Sequence, residues 1–512
     1  GRVLSTRRDV GAMTTEESTE YDELGRVISS TDILGRVTKT EYNDNLLTIT
    51  VTTPAGATLV TKKYYDGTVL WQGGTGQREI ETDLVLTEEG ILTTTLSQGV
   101  ILYRSLANGF SQNVKEEQPN TKGGFIVTRN SYNDKGKLVC IQTDGMASIL
   151  KHYNELGHSV KQTAVLNELD PDDTTKNRIS ESSAYYCIGE DGIYQVKKTI
   201  NYNASGRPLI QSRSQLVSSL NPALENKTIS VDVYGQQSTQ WVEYTAPAKR
   251  TQFNQIPTSD IVAKVIVVDG FTVQRTDHFG LTNTQRRSYT AAGVTLQYTD
   301  PRNNTTVILT DLAERVITIT DAAGNTTTTA YSPHFNNPAV ITNAEGKTIC
   351  STYDIRGRKT AEYGTGIYPA CFAYDEANRM ILMTTFRTDE EEIISDPSDR
   401  TDGDTTVWLY EDATGLELKK TYADGACILK TYDFLNRLET LTKARGSVTT
   451  HSYAPLTGEL VSVTHDDKTP SLNFIYNHLG QMISVSDASG IRELSYDAYG
   501  RPNQDTSFGY VE

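Results

Sequence analysis

Hydrophobic and polar residues alternate with a period of two along much of this chain. In residues 459–464, Val461 and Val463 face one way and Ser462 and Thr464 the other. Residues 481–486 repeat the pattern with Ile483 and Val485, and residues 316–320 with Ile317 and Ile319. A period of two over such short runs predicts strands. Between the strands a phrase returns: Tyr, then Asp or Asn, two variable residues, Gly or Asn, then Arg. It is clearest at Tyr21-Asp22…Gly25-Arg26, Tyr353-Asp354…Gly357-Arg358, Tyr374-Asp375…Asn378-Arg379, Tyr432-Asp433…Asn436-Arg437 and Tyr496-Asp497…Gly500-Arg501. Looser copies begin at Tyr132, Tyr153, Tyr202 and Tyr476. Half a period away lies the same phrase without Tyr, as at Asp32–Gly35, Asp321–Gly324 and Asp487–Gly490.

The spacing is regular. Tyr132 to Tyr153 and Tyr353 to Tyr374 are each 21 residues, and the steps Tyr410, Tyr432, Tyr453, Tyr476 and Tyr496 run 22, 21, 23 and 20. Self-similarity at a fixed period means an array of stacked units. The phrase has turn chemistry. Asp or Asn caps a type I turn through its side chain, and Gly supplies the left-handed residue of a bulge. Asn378 and Asn436 stand where Gly is otherwise found, and Asn is the next most tolerant residue at positive φ. Each repeat is therefore strand, turn, strand, turn. Tyr-bearing turns are expected on one edge of an antiparallel sheet and plain Asp-x-x-Gly turns on the other. The tyrosines are expected to stack as a structural ladder with Arg over the rings, rather than as a sugar-binding row.

At about 10 residues per strand and turn, the chain predicts roughly 50 strands and a ribbon about 240 Å wide. Such a ribbon must twist and curl. The predicted fold is all-β: a long antiparallel sheet of repeated hairpins wound spirally into part of a hollow shell. The 512 residues read as one repeat region, because stacked units form one continuous object. Repeats are clear in 1–66, 130–210 and 276–512, and degenerate in about 80–130 and 214–275. Acidic loops are predicted at about 387–406, which carries Glu390, Glu391, Glu392 and Asp396–Asp404, and at Glu168–Asp173.

Composition narrows the function. A net charge of −16 disfavours nucleic acid and anionic membranes as partners. No apolar run approaches the length of a membrane-spanning helix. Tyr is abundant (28) and Phe and Met scarce (11 and 5), which suits half-wet pleated surfaces. The five cysteines, Cys140, Cys187, Cys350, Cys371 and Cys427, form no CxxC pair. Cys350 and Cys371 share a repeat phase, so they should lie two strands or about 9.6 Å apart, beyond the reach of about 7 Å for a disulfide. Free thiols are expected there. Gly1-Arg2-Val3 matches Gly25-Arg26-Val27, so the chain is expected to begin in mid-phrase, as part of a larger polypeptide without its targeting segment.

No metalloprotease HExxH, nucleophile elbow or Walker loop occurs, and no catalytic residue or cofactor is assigned. His152 and His158, with Glu155, flank a turn and read as solvated side chains; His278 and His478 sit in turns. Asp399–Asp404 lacks the spacing of a calcium loop and reads as solvated, so no metal is assigned.

The phrase resembles the Rhs/YD-repeat family. So do Gly403–Tyr410, Thr414–Leu416, Ala444–Gly446 and Thr457–Leu460. The family spans bacterial Rhs toxin shells, insecticidal toxin-complex B and C components, and teneurins. The resemblance implies a β-strip wound into a cocoon that, in bacterial members, encloses a variable C-terminal toxin. The family's plug segment, with its Asp-Pro-x-Gly pattern and self-cleaving aspartates, has no counterpart before Tyr510-Val511-Glu512, so no protease residue carries over. The expected function is a non-catalytic shell fragment of a secreted or delivered protein. Its partners would be its own C-terminal passenger or plug domains and other shell or secretion components. The alternative is a cell-surface adhesion or glycan- or protein-binding module.

Overall fold

The computed structural model describes residues 2–221, 224–387 and 395–509. These hold 43 strands and a single 3-10 turn, Pro397–Asp399, with no α-helix. The strands form one 43-stranded sheet in which sequence neighbours pair antiparallel. The alternating runs are strands Val316–Thr320, Leu460–His465 and Met482–Asp487. Five-residue strands such as Thr48–Thr52 set the rhythm, but Arg178–Gly189, Gly192–Tyr202 and Pro208–Ser219 run to 11 or 12 residues. These long hairpins are one reason the strands are fewer than ten-residue steps predict. The stretch 214–275 continues the same meander through Leu224–Val231, Gln237–Ala246, Lys249–Gln255 and Ala263–Val268.

The abundance of Thr has a cross-strand reason. Thr320 and Thr326 close their pair with a 3.0 Å hydroxyl contact, as do Thr299 with Thr305 and Thr276 with Thr282. Such pairs hold register where apolar burial is thin. Burial is indeed thin. Tyr194 and Leu216 form a small core with Ile229 and Trp241 beside it, while most apolar strand residues are half-buried. Ile319 remains 40% exposed, so the apolar face predicted for that strand is only partly covered.

By contacts the chain divides into two compact units. One comprises Gly1–Leu84, Thr94–Leu102 and Asn283–Cys427; the other comprises Val85–Thr93, Tyr103–Thr282 and Ile428–Glu512. Each joins an early segment to a late one, and turns distant in sequence meet inside each. In the first unit Arg36 Nη1 donates to Asn336 Oδ1 at 3.0 Å, and the Arg78 amide to the Glu376 carbonyl at 2.8 Å. In the second, the Thr121 amide donates to Asn436 Oδ1 (3.1 Å), Arg178 Nε to the His478 carbonyl (2.7 Å) and Asn203 Nδ2 to the Ala498 carbonyl (2.8 Å). The side-chain partners stand 295–315 residues apart. In every case the late partner sits in a turn that directly follows a Tyr, and the early partner lies on the edge opposite the Tyr21, Tyr132 and Tyr153 turns, although the Asn203 turn on that edge itself follows Tyr202.

Two expectations are corrected here. The turn after Tyr202 lies on the edge opposite that after Tyr153, because three strands, an odd number, separate them. The long loop of residues 166–177 lies among those strands and hides the change of phase. Asp487–Gly490 is no bulged Asp-x-x-Gly turn. Asp487 pairs directly with Gly490, whose φ is 149°, so only two residues close that hairpin. Cys350 and Cys371 pair with Tyr363 and Ala361 of the intervening strand, and all five cysteines are free.

Candidate functional site: the turn ladder

The turn at Asp354 shows how five residues build the repeating element. The Asp354 amide donates to the Arg358 carbonyl and the Gly357 amide to the Asp354 carbonyl, each at 2.9 Å. Asp354 Oδ1 accepts from the Arg356 and Arg358 amides (2.9 Å each), and Oδ2 accepts from Arg358 Nε at 2.7 Å. One carboxylate thus satisfies two backbone donors and anchors the guanidinium. The same clamp holds Asp22 with Arg26, Asp375 with Arg379, Asp433 with Arg437 and Asp497 with Arg501, with Nε–Oδ2 distances of 2.6–2.7 Å. The left-handed residue is Gly25 (φ 85°), Gly357 (80°), Asn378 (68°), Asn436 (62°) or Gly500 (81°). At Tyr21, Tyr353, Tyr374, Tyr432 and Tyr496 the pairing register shifts by a bulge.

Successive turns are linked in both directions. The tyrosine hydroxyl reaches back: Tyr353 donates to the Pro338 carbonyl (2.6 Å), Tyr453 to Leu438 (2.8 Å) and Tyr496 to Met482 (2.9 Å), each just past the preceding turn. Tyr21 donates to Val3 in the same way (3.1 Å). The arginine reaches forward over the next ring: Arg26 over Tyr42 at 4.3 Å, Arg358 over Tyr374 at 5.0 Å, Arg379 over Tyr410 at 4.9 Å and Arg437 over Tyr453 at 4.4 Å. Arg358 Nη1 also donates to the Asp375 carbonyl at 2.9 Å. The expected tyrosine-on-tyrosine ladder is corrected. Motif tyrosines two strands apart stand about 9.6 Å from one another, too far for rings to touch, and the long guanidinium fills the gap. The ring pairs among the described residues are Tyr234–Tyr499, Trp241–Phe253, His334–Phe335 and Phe335–Tyr353. Tyr432 is buried.

Electrostatics follow the geometry. Burial pushes the Asp354 carboxyl up, but the hydrogen bonds from Arg358 and Arg356 outweigh it and hold the group below its ordinary value. Asp22 is lowered chiefly by the Arg26 amide. Burial raises the Tyr374, Tyr410 and Tyr453 phenols, keeping them neutral donors.

The two Asn-bearing turns separate local from distant roles. Asn436 Oδ1 accepts from the Thr121 amide and its Nδ2 donates to the Pro119 carbonyl at 3.0 Å, whereas the Asn378 side chain is exposed. Glycine relieves positive-φ strain at both sites but removes two hydrogen bonds only at Asn436. Asn436→Gly is expected to cost about 1–2 kcal/mol more than Asn378→Gly in denaturant melts. Equal effects would contradict the distant role.

The other candidates are dispersed. No group of three or more His, Cys, Asp or Glu suited to a metal occurs among the described residues. His152 and His158 are exposed, and the His158 amide donates to Asn154 Oδ1. His278 Nδ1 lies 3.2 Å from the Ile261 carbonyl, and His478 is lowered by burial and then by Arg178. In the acidic insert, Asp402 is bonded to Arg400 (2.6 Å) and Asp404 to Arg387 (3.1 Å). Glu390, Glu391 and Glu392 lie outside the described residues, as do Tyr510, Val511 and Glu512. No described helix is long and apolar enough to cross a membrane. Sequence reasoning missed the residues at the variable turn positions that touch the distant edge: Ile355 over Gly56, Phe434 over Gly145 and Tyr499 against Tyr234 at 4.8 Å. Their apolar character at solvent-facing turn positions was the available signal.

The fold and its ladder define an antiparallel β-repeat protein, built on one turn used many times. Residues 21–58, which contain the Tyr21–Arg26 clamp, match the RHS repeat family. The same Asp–Arg clamp recurs outside the matched residues, as far as Arg501. Among solved structures it is similar to TcdB2-TccC3-TEV (TM-score 0.45, 12% identity, 94% of this chain and 27% of that one). It is also similar to a Photorhabdus luminescens Tc holotoxin pore (0.45, 13%, 94% and 26%) and to TcdB2-TccC3 without its hypervariable C-terminal region (0.42, 12%, 94% and 30%). The chain spans less than a third of the length of each of these chains. No curated protein sequence matches it.

Proposed function

We propose that this chain is a non-catalytic wall segment of a larger Rhs/YD-repeat shell that isolates a passenger polypeptide, the passenger being a C-terminal domain of the same protein. The observation that carries the reading is the edge-to-edge meeting of turns about 300 residues apart within each unit. A strip that returns to its own opposite edge at a constant interval is winding, and stacked windings make a wall. In this reading the Asp–Arg clamps at Asp22, Asp354, Asp375, Asp433 and Asp497 are structural, each setting the bend and handing it on through Tyr and Arg. Residues 1–512 act as one repeat region, secreted or delivered with the passenger. Electron microscopy of the full-length protein is expected to show an enclosed lumen, with the passenger protected from added protease until the wall is unfolded. A rod or flat strip without a lumen, or a passenger cleaved at the rate of an isolated domain, would overturn it.

A further inference from the structure

A histidine lies where two distant turns of the second unit meet. One partner is the loop of residues 166–177, which is fixed from within. Asn177, 0% exposed, accepts from the Leu166 and Asn167 amides at 2.7 and 2.8 Å and donates to the Asp170 carbonyl at 2.7 Å. Arg178 follows the loop and reaches the turn after Tyr476. Its Nε donates to the His478 carbonyl at 2.7 Å, and its Nη2 pairs with Glu459. A methyl group on Gly480 would stand 2.8 Å from Glu459 Oε1 and 3.2 Å from Arg178 Nη2, so the turn closes tightly over the ion pair. The His478 ring lies among these groups, and its Nε2 is buried without a hydrogen bond. Arg178 opposes a charge on the ring, whereas Asp173 and the Thr174 backbone, both from the loop, favour one. Glu459 is engaged by Arg178, and Lys176 by Asp173 at 3.8 Å. Burial first and Arg178 second prevail, so the imidazole stays below its ordinary value of 6.5.

We propose that His478 is a pH-sensitive latch on this contact: neutral, it lets the loop of residues 166–177 seat against the turn at 477–481, and protonated, it releases the loop while the strands on both sides stay paired. A second proton on the ring adds a cation beside a guanidinium that Glu459 and the His478 carbonyl keep in place. It also makes Nε2 a donor with no acceptor. The released ring takes up its proton at the ordinary value and the seated ring only below it. The seated state is therefore fully favoured above about pH 6.5 and loses ground as pH falls through that value. Turn aspartates titrate only near pH 4 and below, which leaves the interval from about pH 6.5 to 5 to the histidine. The latch needs this contact alone and not containment, so a particle without a lumen would leave it standing.

Amide hydrogen exchange of the whole chain at pH 7.5 and pH 5.5, corrected for intrinsic rates and read by mass spectrometry, tests the latch. Protection over residues 168–178 and 477–481 is expected to fall severalfold at the lower pH, up to about tenfold, the limit for one proton taken up one unit below pH 6.5. The contact of Thr121 with Asn436 is the internal control. It is made by an amide side chain and backbone groups, which do not titrate, and its protection is expected to stay the same. His478→Gln keeps a polar side chain without a titrating group and is expected to abolish the difference between the two pH values. On the unmodified protein, exchange of the histidine ring C2 hydrogen, read by peptide, is expected to show His478 titrating below 6.5, a measurement that needs no variant to fold. Asp173→Asn removes a group that favours the charged ring and is expected to move that titration lower still. Equal protection of residues 168–178 at both pH values overturns the proposal. Opening that persists in His478→Gln, or a His478 ring that titrates at or above 6.5, overturns it as well.

Discussion

Replacing Gly293 with alanine is expected to destabilise the chain by about 3–5 kcal/mol and to melt the hairpin it closes, since backbone strain and overpacking add there. Gly293 pairs with Thr290 at the end of a two-residue loop, with φ at 146°. A methyl group on it would stand 2.0 Å from the Thr310 carbonyl oxygen and 2.7 Å from the Asp311 carbonyl. Both obstacles are backbone atoms of the neighbouring strand, and they cannot swing away as a side chain would. The site is also among the best buried. Val294 is 2% exposed, and its amide donates to the Thr310 hydroxyl at 3.2 Å. Gly324 is the control. It also has positive φ, 89°, but nothing lies within 4 Å of an added methyl. Gly324→Ala meets only the conformational penalty and should cost about 1 kcal/mol. Thermal melts paired with hydrogen exchange over residues 284–310 distinguish the two. Similar losses at both positions would show that steric contact with the neighbouring strand is unimportant.

Acid is expected to unfold the segment around residues 300–358 before the segment around 120–158. The first is held largely by aspartate turns. Asp300 is lowered by the Asn304 side chain and amide, and Asp321 by those of Asn325. Asp354 is lowered despite its burial. A carboxyl held below its unfolded value of about 3.9 contributes stability that is complete above that pH and disappears as pH falls through the folded value. The window is therefore about pH 4 and below. The second segment uses asparagine in the same role. Asn120, Asn133 and Asn154 accept from amides two or four residues on at 2.9–3.1 Å, and an amide side chain does not titrate. Hydrogen exchange read by mass spectrometry, stepping from pH 5 to pH 2.5 with correction for intrinsic rates, tests this order. Simultaneous loss of protection in both segments, or earlier loss at 120–158, would refute it.

Much of the molecule was legible in the order of its residues, because the determining contacts are short. The Asp carboxylate reaches amides two and four residues away, the left-handed residue follows at a set position, and the strands between alternate with period two. Those interactions are complete within six residues, and they specify strands, bends and repeat. Free thiols at Cys350 and Cys371 followed from strand count alone. Wherever the local rule was interrupted, legibility failed. Tyr202 carries the phrase on the opposite edge because an odd number of strands separates it from Tyr153. Asp487–Gly490 spells a bulged turn but closes as a two-residue hairpin, because its Asp pairs directly with its Gly.

Tertiary structure decided which turns meet. Nothing near Ile355, Phe434 or Asn436 in the chain announces Gly56, Gly145 or Thr121, and the two variable positions of the phrase look free when only the local turn is considered. Their partners are set by how far each strand pair twists the strip and by how many strands pass before it returns, sums over some 300 residues that no short window contains. Strand spacing, not residue order, explains why Arg rather than a second Tyr lies over Tyr42, Tyr374, Tyr410 and Tyr453: it puts consecutive tyrosines out of reach and leaves a gap that fits a guanidinium. The sequence by itself determined the strand and the turn, since those depend on alternation and on hydrogen bonds between near neighbours. Only the folded strip decided which edge each turn occupies and whether its apolar tip is covered, because both depend on the accumulated path of the chain.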